Sequence, residues 1–167
     1  MSQTMVWGLS LLIATAAPCA DAAPGETFQV RVPHQAGTAV RRALASVKHR
    51  LADTTCREVL GDFTSEGRSL DAVLAERGRS PQEHLETLVF QDGSGRPRCA
   101  SPGILAFTHV GGDTIFVCSA PFARAAERDP AFAAVVLIHE TLHTLGLREN
   151  PPTSGEITAR VARRCGG

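Results

Sequence analysis

The chain has 167 residues, 43% of them apolar, with 17 basic and 17 acidic side chains. That length and apolar content support one globular domain able to bury a substantial core. A formal net charge of +0 and a pI near 7.0 exclude the basic footprint of a nucleic-acid or anionic-membrane binder.

An apolar, small-residue run from Met5 to Ala17 precedes Pro18-Cys19-Ala20-Asp21-Ala22-Ala23, and the first cationic side chain is Arg31. This reads as a secretory signal peptide over residues 1–22, cleaved after Ala22 at an Ala-x-Ala site, with a single domain from 23 to 167. The apolar run is too short to span a bilayer. Cys56, Cys99, Cys118 and Cys165 then remain, and an even number of cysteines in an exported domain argues for disulfides. Of the three pairings that four cysteines allow, Cys99 with Cys118 is expected because the two flank one predicted hairpin. That leaves Cys56 with Cys165.

Thr27 to Val32 alternates with a period of two, as a strand does. Val40, Leu44, Val47 and Leu51 recur at helical spacing, with Arg41, Arg42, Lys48 and Arg50 on the solvated face. Cys56 to Gly67 shows no period and reads as irregular, and Ser69 to Arg77 reads as a short helix. Ser80-Pro81-Gln82-Glu83 has the cap, first-turn proline and glutamate of a helix start, with Leu85, Leu88 and Val89 continuing it. His84 in that first turn is expected on the surface. Residues 92 to 97 form a turn-rich loop. Ile104 to Thr108 and Thr114 to Cys118 read as a hairpin around Gly111-Gly112-Asp113. Asp129-Pro130 opens a helix that is apolar nearly all round from Phe132 to Ile138, hence buried, and a last helix runs from about Thr153 to Arg164.

The chemistry concentrates in His139-Glu140-Thr141-Leu142-His143, late in the buried helix. Histidines four apart project from one helix face, so both imidazoles can ligate one Zn²⁺ while the glutamate acts on the water that the metal activates. Three polar groups in an otherwise apolar run are costly to bury unless a metal or hydrogen bonds satisfy them.

The run His139 to Glu149, with Gly146 three residues after the second histidine, resembles the active-site helix of the zincin metallopeptidases. It is closest to the extended form of metzincins and snapalysin-like peptidases. The resemblance implies Zn²⁺ held by His139 and His143, Glu140 as the catalytic general base, and a third ligand from the chain that turns at Gly146. Glu149 stands in that place, where most metzincins have histidine and snapalysin-like enzymes aspartate. Glu156 is the rival third ligand, on a separate helix as in gluzincins, but Thr153 and Glu156 also match a capping box. Asp113 and His109 are further donors. No methionine follows Met5, so a methionine turn beneath the metal is absent.

The resemblance further implies an α+β zincin-like domain with a small mixed sheet, a buried active-site helix, a C-terminal helix and an edge strand along the cleft. Thr114 to Cys118 is the strand expected to take a peptide or protein substrate through backbone hydrogen bonds. The chain has no tyrosine, so His109, Arg148, Arg124 and backbone amides are the candidates for stabilising an oxyanion. The function expected is that of a secreted zinc metallopeptidase. A secreted, disulfide-stapled binding or scaffold protein that retains zinc without catalysis is the reading from another class.

Overall fold

The computed structural model describes residues 28–166, so the expected signal peptide lies outside the described residues. Strand β1 (Gln29–Arg31) leads into helix α1 (His34–Ala52), which buries Val40, Leu44, Val47 and Leu51 along the expected stripe. The Asp53 side chain caps α2 (Thr54–Arg57) by accepting from the Thr55 and Cys56 N–H groups, and a 3-10 turn, Glu58–Leu60, extends it. Strands β2 (Thr64–Ser65) and β3 (Arg68–Ser69) pair as a small ribbon, so the segment expected to be irregular carries short regular pieces. Helices α3 (Leu70–Glu76) and α4 (Pro81–Thr87) are capped by the side chains of Ser69 and Ser80, the latter in a full capping box.

After α4 the structure departs from the helical reading of Leu88 and Val89. Leu88 is extended at φ −78° and ψ 147°, and β4 (Val89–Asp92) follows. The leucine and valine spacing suits a helix, but Phe90 is fully buried with a partner strand on each side, and that pairing overrides a short local pattern. Strands β5 (Ala106–Thr108) and β6 (Thr114–Val117) form the expected hairpin. Helices α5 (Ser119–Arg128), α6 (Pro130–Thr144) and α7 (Ser154–Cys165) complete the described chain. Only Phe122 and Ala125 of α5 are buried, which leaves little periodicity to read in its sequence.

The fold is α+β with a mixed four-stranded sheet in the order β1-β4-β6-β5. β1, β4 and β6 run parallel, while β5 is antiparallel to β6 and occupies an edge. The strand expected at the cleft edge, Thr114 to Cys118, is therefore interior, and the edge belongs to β5. A hairpin leaves one of its two strands outermost, and the parallel pairing of β4 with β6 decides which.

One sheet face supplies Ile115 and Val117 to the main core, which α1, α3, α4, α6 and α7 complete. The other carries a small cluster of Phe107, Phe116 and Cys118. The cysteines pair as expected. Cys99–Cys118 ties the loop after β4 to this outer face, and Cys56–Cys165 ties α2 to the end of α7. The second bridge closes a 109-residue separation, the longer of the two, and removes about 4–5 kcal/mol of unfolded-chain entropy in the loop-closure picture. Among the described residues no helix is long and apolar enough to cross a membrane.

Candidate metal centre

Helix α6 is built to carry its polar groups inside the core. The Asp129 side chain accepts from the Phe132 N–H at 2.9 Å, Pro130 stands in the first turn, and Ala133, Ala134, Val135, Leu137 and Ile138 are buried. Phe132 departs from the all-round burial expected of this segment, being 40% exposed. The helix ends in a Schellman motif: the Gly146 N–H donates to the His143 carbonyl at 3.0 Å and the Leu147 N–H to the Leu142 carbonyl at 3.3 Å. Gly146 has φ +100°, and a Cβ there would collide with the Ser65 side chain, so only glycine suits the turn.

That cap orients a ligand. It brings the Leu147 carbonyl to 2.7 Å from His143 Nδ1, which must donate because a carbonyl can only accept. The neutral His143 ring therefore carries its lone pair on Nε2. His139 Nδ1 lies 2.9 Å from the Thr158 hydroxyl of α7, a group able to donate or accept. The two Nε2 atoms are 3.0 Å apart. Without a metal, His139 can donate from Nε2 to His143 while accepting from Thr158. For His139 Nε2 to ligate a metal, Nδ1 would carry the proton and the Thr158 hydroxyl would accept from it.

Glu149 arrives from the turn after Gly146, with Oε1 at 3.4 Å from His143 Nε2 and 3.7 Å from His139 Nε2. Ligand atoms of His139, His143 and Glu149 all lie within 4.8 Å of one another, close enough to hold a metal ion. Two imidazoles whose Nε2 atoms lie together and one carboxylate make a donor set suited to a divalent ion of intermediate softness. Burial, reinforced by His143 and opposed by Glu149, holds the His139 imidazole down at about 4, so it is neutral and able to ligate near pH 7.

Glu156 stands elsewhere. Its carboxylate accepts from the Thr153 N–H at 2.7 Å and hydroxyl at 2.8 Å in a capping box, and it lines a separate groove together with Arg148. Asp113 is exposed and is not among these donors. His109 lines the cavity of the His-His-Glu group, whereas Arg124 and Arg148 do not.

That cavity measures about 370 Å³ and runs between α6 and β5. Phe132, Val136, His139, Glu140 and His143 form its α6 wall, and Ala106 to Val110 the wall opposite. The Gly111 N–H donates to the His143 carbonyl at 2.8 Å, which pins the hairpin tip to the C-terminal end of α6. Phe132 and Val110, the two exposed large apolar residues among those described, both line this cleft. Glu140 is 8% exposed, and burial pushes its carboxyl up to about 8, with Glu149 adding to the rise. Arg98 and the Thr108 backbone N–H pull it the other way.

The sequence reading missed Arg98, the Thr108 amide and Thr158. Arg98 had a signal, since it precedes a cysteine expected to bridge to the hairpin. Thr158 had none, because its role depends on how α7 packs on α6. His84 is likewise a correction. It is 3% exposed, and its Nε2 donates at 2.8 Å to the Thr144 hydroxyl, which in turn donates to the Thr141 carbonyl. Its Nδ1 has no hydrogen-bond partner among the described residues. Packing of α4 beneath α6 buries a first-turn residue that a solvated helix would expose.

The chain matches no family model, no curated protein and no solved structure. The resemblance to zincins therefore stands on the motif beside this geometry.

Proposed function

We propose that the protein is a secreted, zinc-dependent metallopeptidase that hydrolyses peptide bonds. The observation that carries the reading is the convergence of His139, His143 and Glu149 in the wall of a cleft, with the carboxyl of Glu140 beside them and a free strand edge opposite. His139, His143 and Glu149 would hold Zn²⁺, which would supply Lewis acidity to lower the pKa of water to about 7 and polarise a carbonyl, and whose charge would favour the ionised form of Glu140.

The chain's own groups do the rest. An extended peptide adds to the outer edge of β5, pairing its backbone with that of Ala106 to Thr108. Phe132 and Val110 flank the bound segment with apolar surface and displace water from it. The Glu140 carboxylate accepts the proton of the attacking water and delivers it to the departing amine. His109 lines the same cavity and is the side chain we assign to donate to the developing oxyanion. Export is supported by the two disulfides, which form and persist in oxidising compartments.

Glu140→Gln tests the reading. Zinc content by metal analysis and the folded circular dichroism spectrum should be unchanged, while turnover of a broad peptide library falls about 10²- to 10⁴-fold. Near-normal turnover in the variant would overturn Glu140 as the general base, whereas a wild-type protein that binds zinc and cleaves nothing would leave the non-catalytic binding protein as the reading.

A further inference from the structure

One group in the cleft has no part in the chemistry just described. Arg98 is the sole lysine or arginine among the described residues that line the cavity. It stands on a short 3-10 turn, Pro97–Ala100, whose Cys99 is bonded to Cys118 at the end of β6. Its guanidinium lies over the Phe107 ring at 5.8 Å. Phe107 is stacked on Phe116 with centroids 5.2 Å apart and planes at 26°, and Arg96 covers Phe116 at 3.7 Å. Two cations thus lie near a stacked pair of rings on the sheet, beside a disulfide.

Arg98 is exposed, and a guanidinium near a ring face makes a cation–π contact that uses none of its N–H donors. Among the described residues Arg98 makes no side-chain hydrogen bond or ion pair. The charge pattern of the cleft points the same way. Its other charged side chains are the carboxylates of Glu140 and Glu149, which a divalent metal on the donor group would balance. Arg98 then leaves the cleft with a net positive charge, while its field also reaches Glu140.

We propose that Arg98 is the specificity determinant of the cleft, receiving a carboxylate of the substrate, so that the enzyme takes acidic peptides. The carboxylate comes either from an Asp or Glu side chain near the scissile bond or from the peptide's C-terminus. The proposal rests on the peptidase reading, and because Arg98 lines the same cavity as Glu140 and acts on it electrostatically, a carboxylate it receives lies near the bond that is cut.

The test uses the full, zinc-loaded chain as wild type, Arg98→Gln and Arg98→Glu. Turnover is measured on matched peptides carrying Glu, Gln or Lys at each position around the bond, with free and amidated C-termini. Calorimetric Kd values are measured in parallel for non-cleavable peptide hydroxamates that differ only as Glu or Gln. In wild type one position should favour Glu over Gln by about tenfold in both kcat/KM and Kd, the scale of one charge-assisted hydrogen bond. The ratio should fall to about one in Arg98→Gln, and Arg98→Glu should favour Lys. Because each ratio is taken within one variant, a change in overall fold or activity does not mimic it. A free-acid preference that amidation abolishes assigns the carboxylate to the C-terminus, and one that survives amidation assigns it to a side chain. If peptides are cut with the same Glu-to-Gln ratio in all three proteins, the proposal is overturned and the peptidase reading stands. If nothing is cut yet the hydroxamates show the Arg98-dependent ratio, the carboxylate site stands and the peptidase reading falls. Equal Kd values and no cleavage overturn both.

Discussion

Acidification should destabilise this fold, and one share of the loss comes from a buried histidine outside the metal centre, His84. Burial, with Arg77 and Arg79 adding, lowers its imidazole from 6.5 to about 4. In the unfolded chain the ring takes up a proton near 6.5, whereas in the folded protein it stays neutral until about 4. Its contribution is therefore complete above the unfolded value and is lost as the pH falls toward the folded one. Proton linkage between those two values gives roughly 2 kcal/mol lost from about pH 7 to about pH 5, and roughly 3 kcal/mol below about pH 4. His84→Gln keeps a donor for the Thr144 hydroxyl but cannot titrate. Urea unfolding of both proteins, with disulfides intact and chelator present so that metal release adds nothing, isolates the term. Wild type should lose roughly 2 kcal/mol more than the variant over that interval. Parallel stability curves would refute the reasoning and mean that water or a backbone rearrangement solvates the ring.

Two further outcomes bear on the metal centre. Glu149→Ala should weaken zinc binding at least about 100-fold in a competitive chelator titration, the share of one protein donor in a site of this kind. Glu156→Ala should cost about 1 kcal/mol of helix stability and leave the zinc Kd unchanged, and the reverse pattern would move the third ligand to α7. Thr158→Val should weaken zinc binding about 10- to 100-fold by leaving a buried Nδ1–H of His139 without an acceptor, while Thr158→Ser restores it. An unchanged zinc Kd in Thr158→Val would show that the hydroxyl does not orient the ring.

Local rules made much of this protein legible from its sequence. Asp129-Pro130 and Gly146 bound α6 because a side-chain acceptor, a proline and a residue tolerant of positive φ are what helix ends require. His139 and His143 share a face because the helix repeats every 3.6 residues, and the Ser80 and Thr153 capping boxes mark two more helix starts. Pairing of Cys99 with Cys118 followed from their flanking one hairpin.

Only the tertiary structure decided what depends on contacts between distant segments. Val89 to Asp92 is a strand because β1 and β6 lie on either side of it, and β5 rather than β6 meets the cleft because β6 pairs with β4. His84 is buried because α4 packs beneath α6, and Thr158 meets His139 because α7 packs alongside it. Glu149 and Glu156 follow the same motif at comparable range. The chain folds back after Gly146 to bring the first toward the histidines, while the capping box spends the second on its own helix. Spacing along a chain fixes which side chains share one element, but distances across a core are set by packing, and the candidate metal centre draws on both.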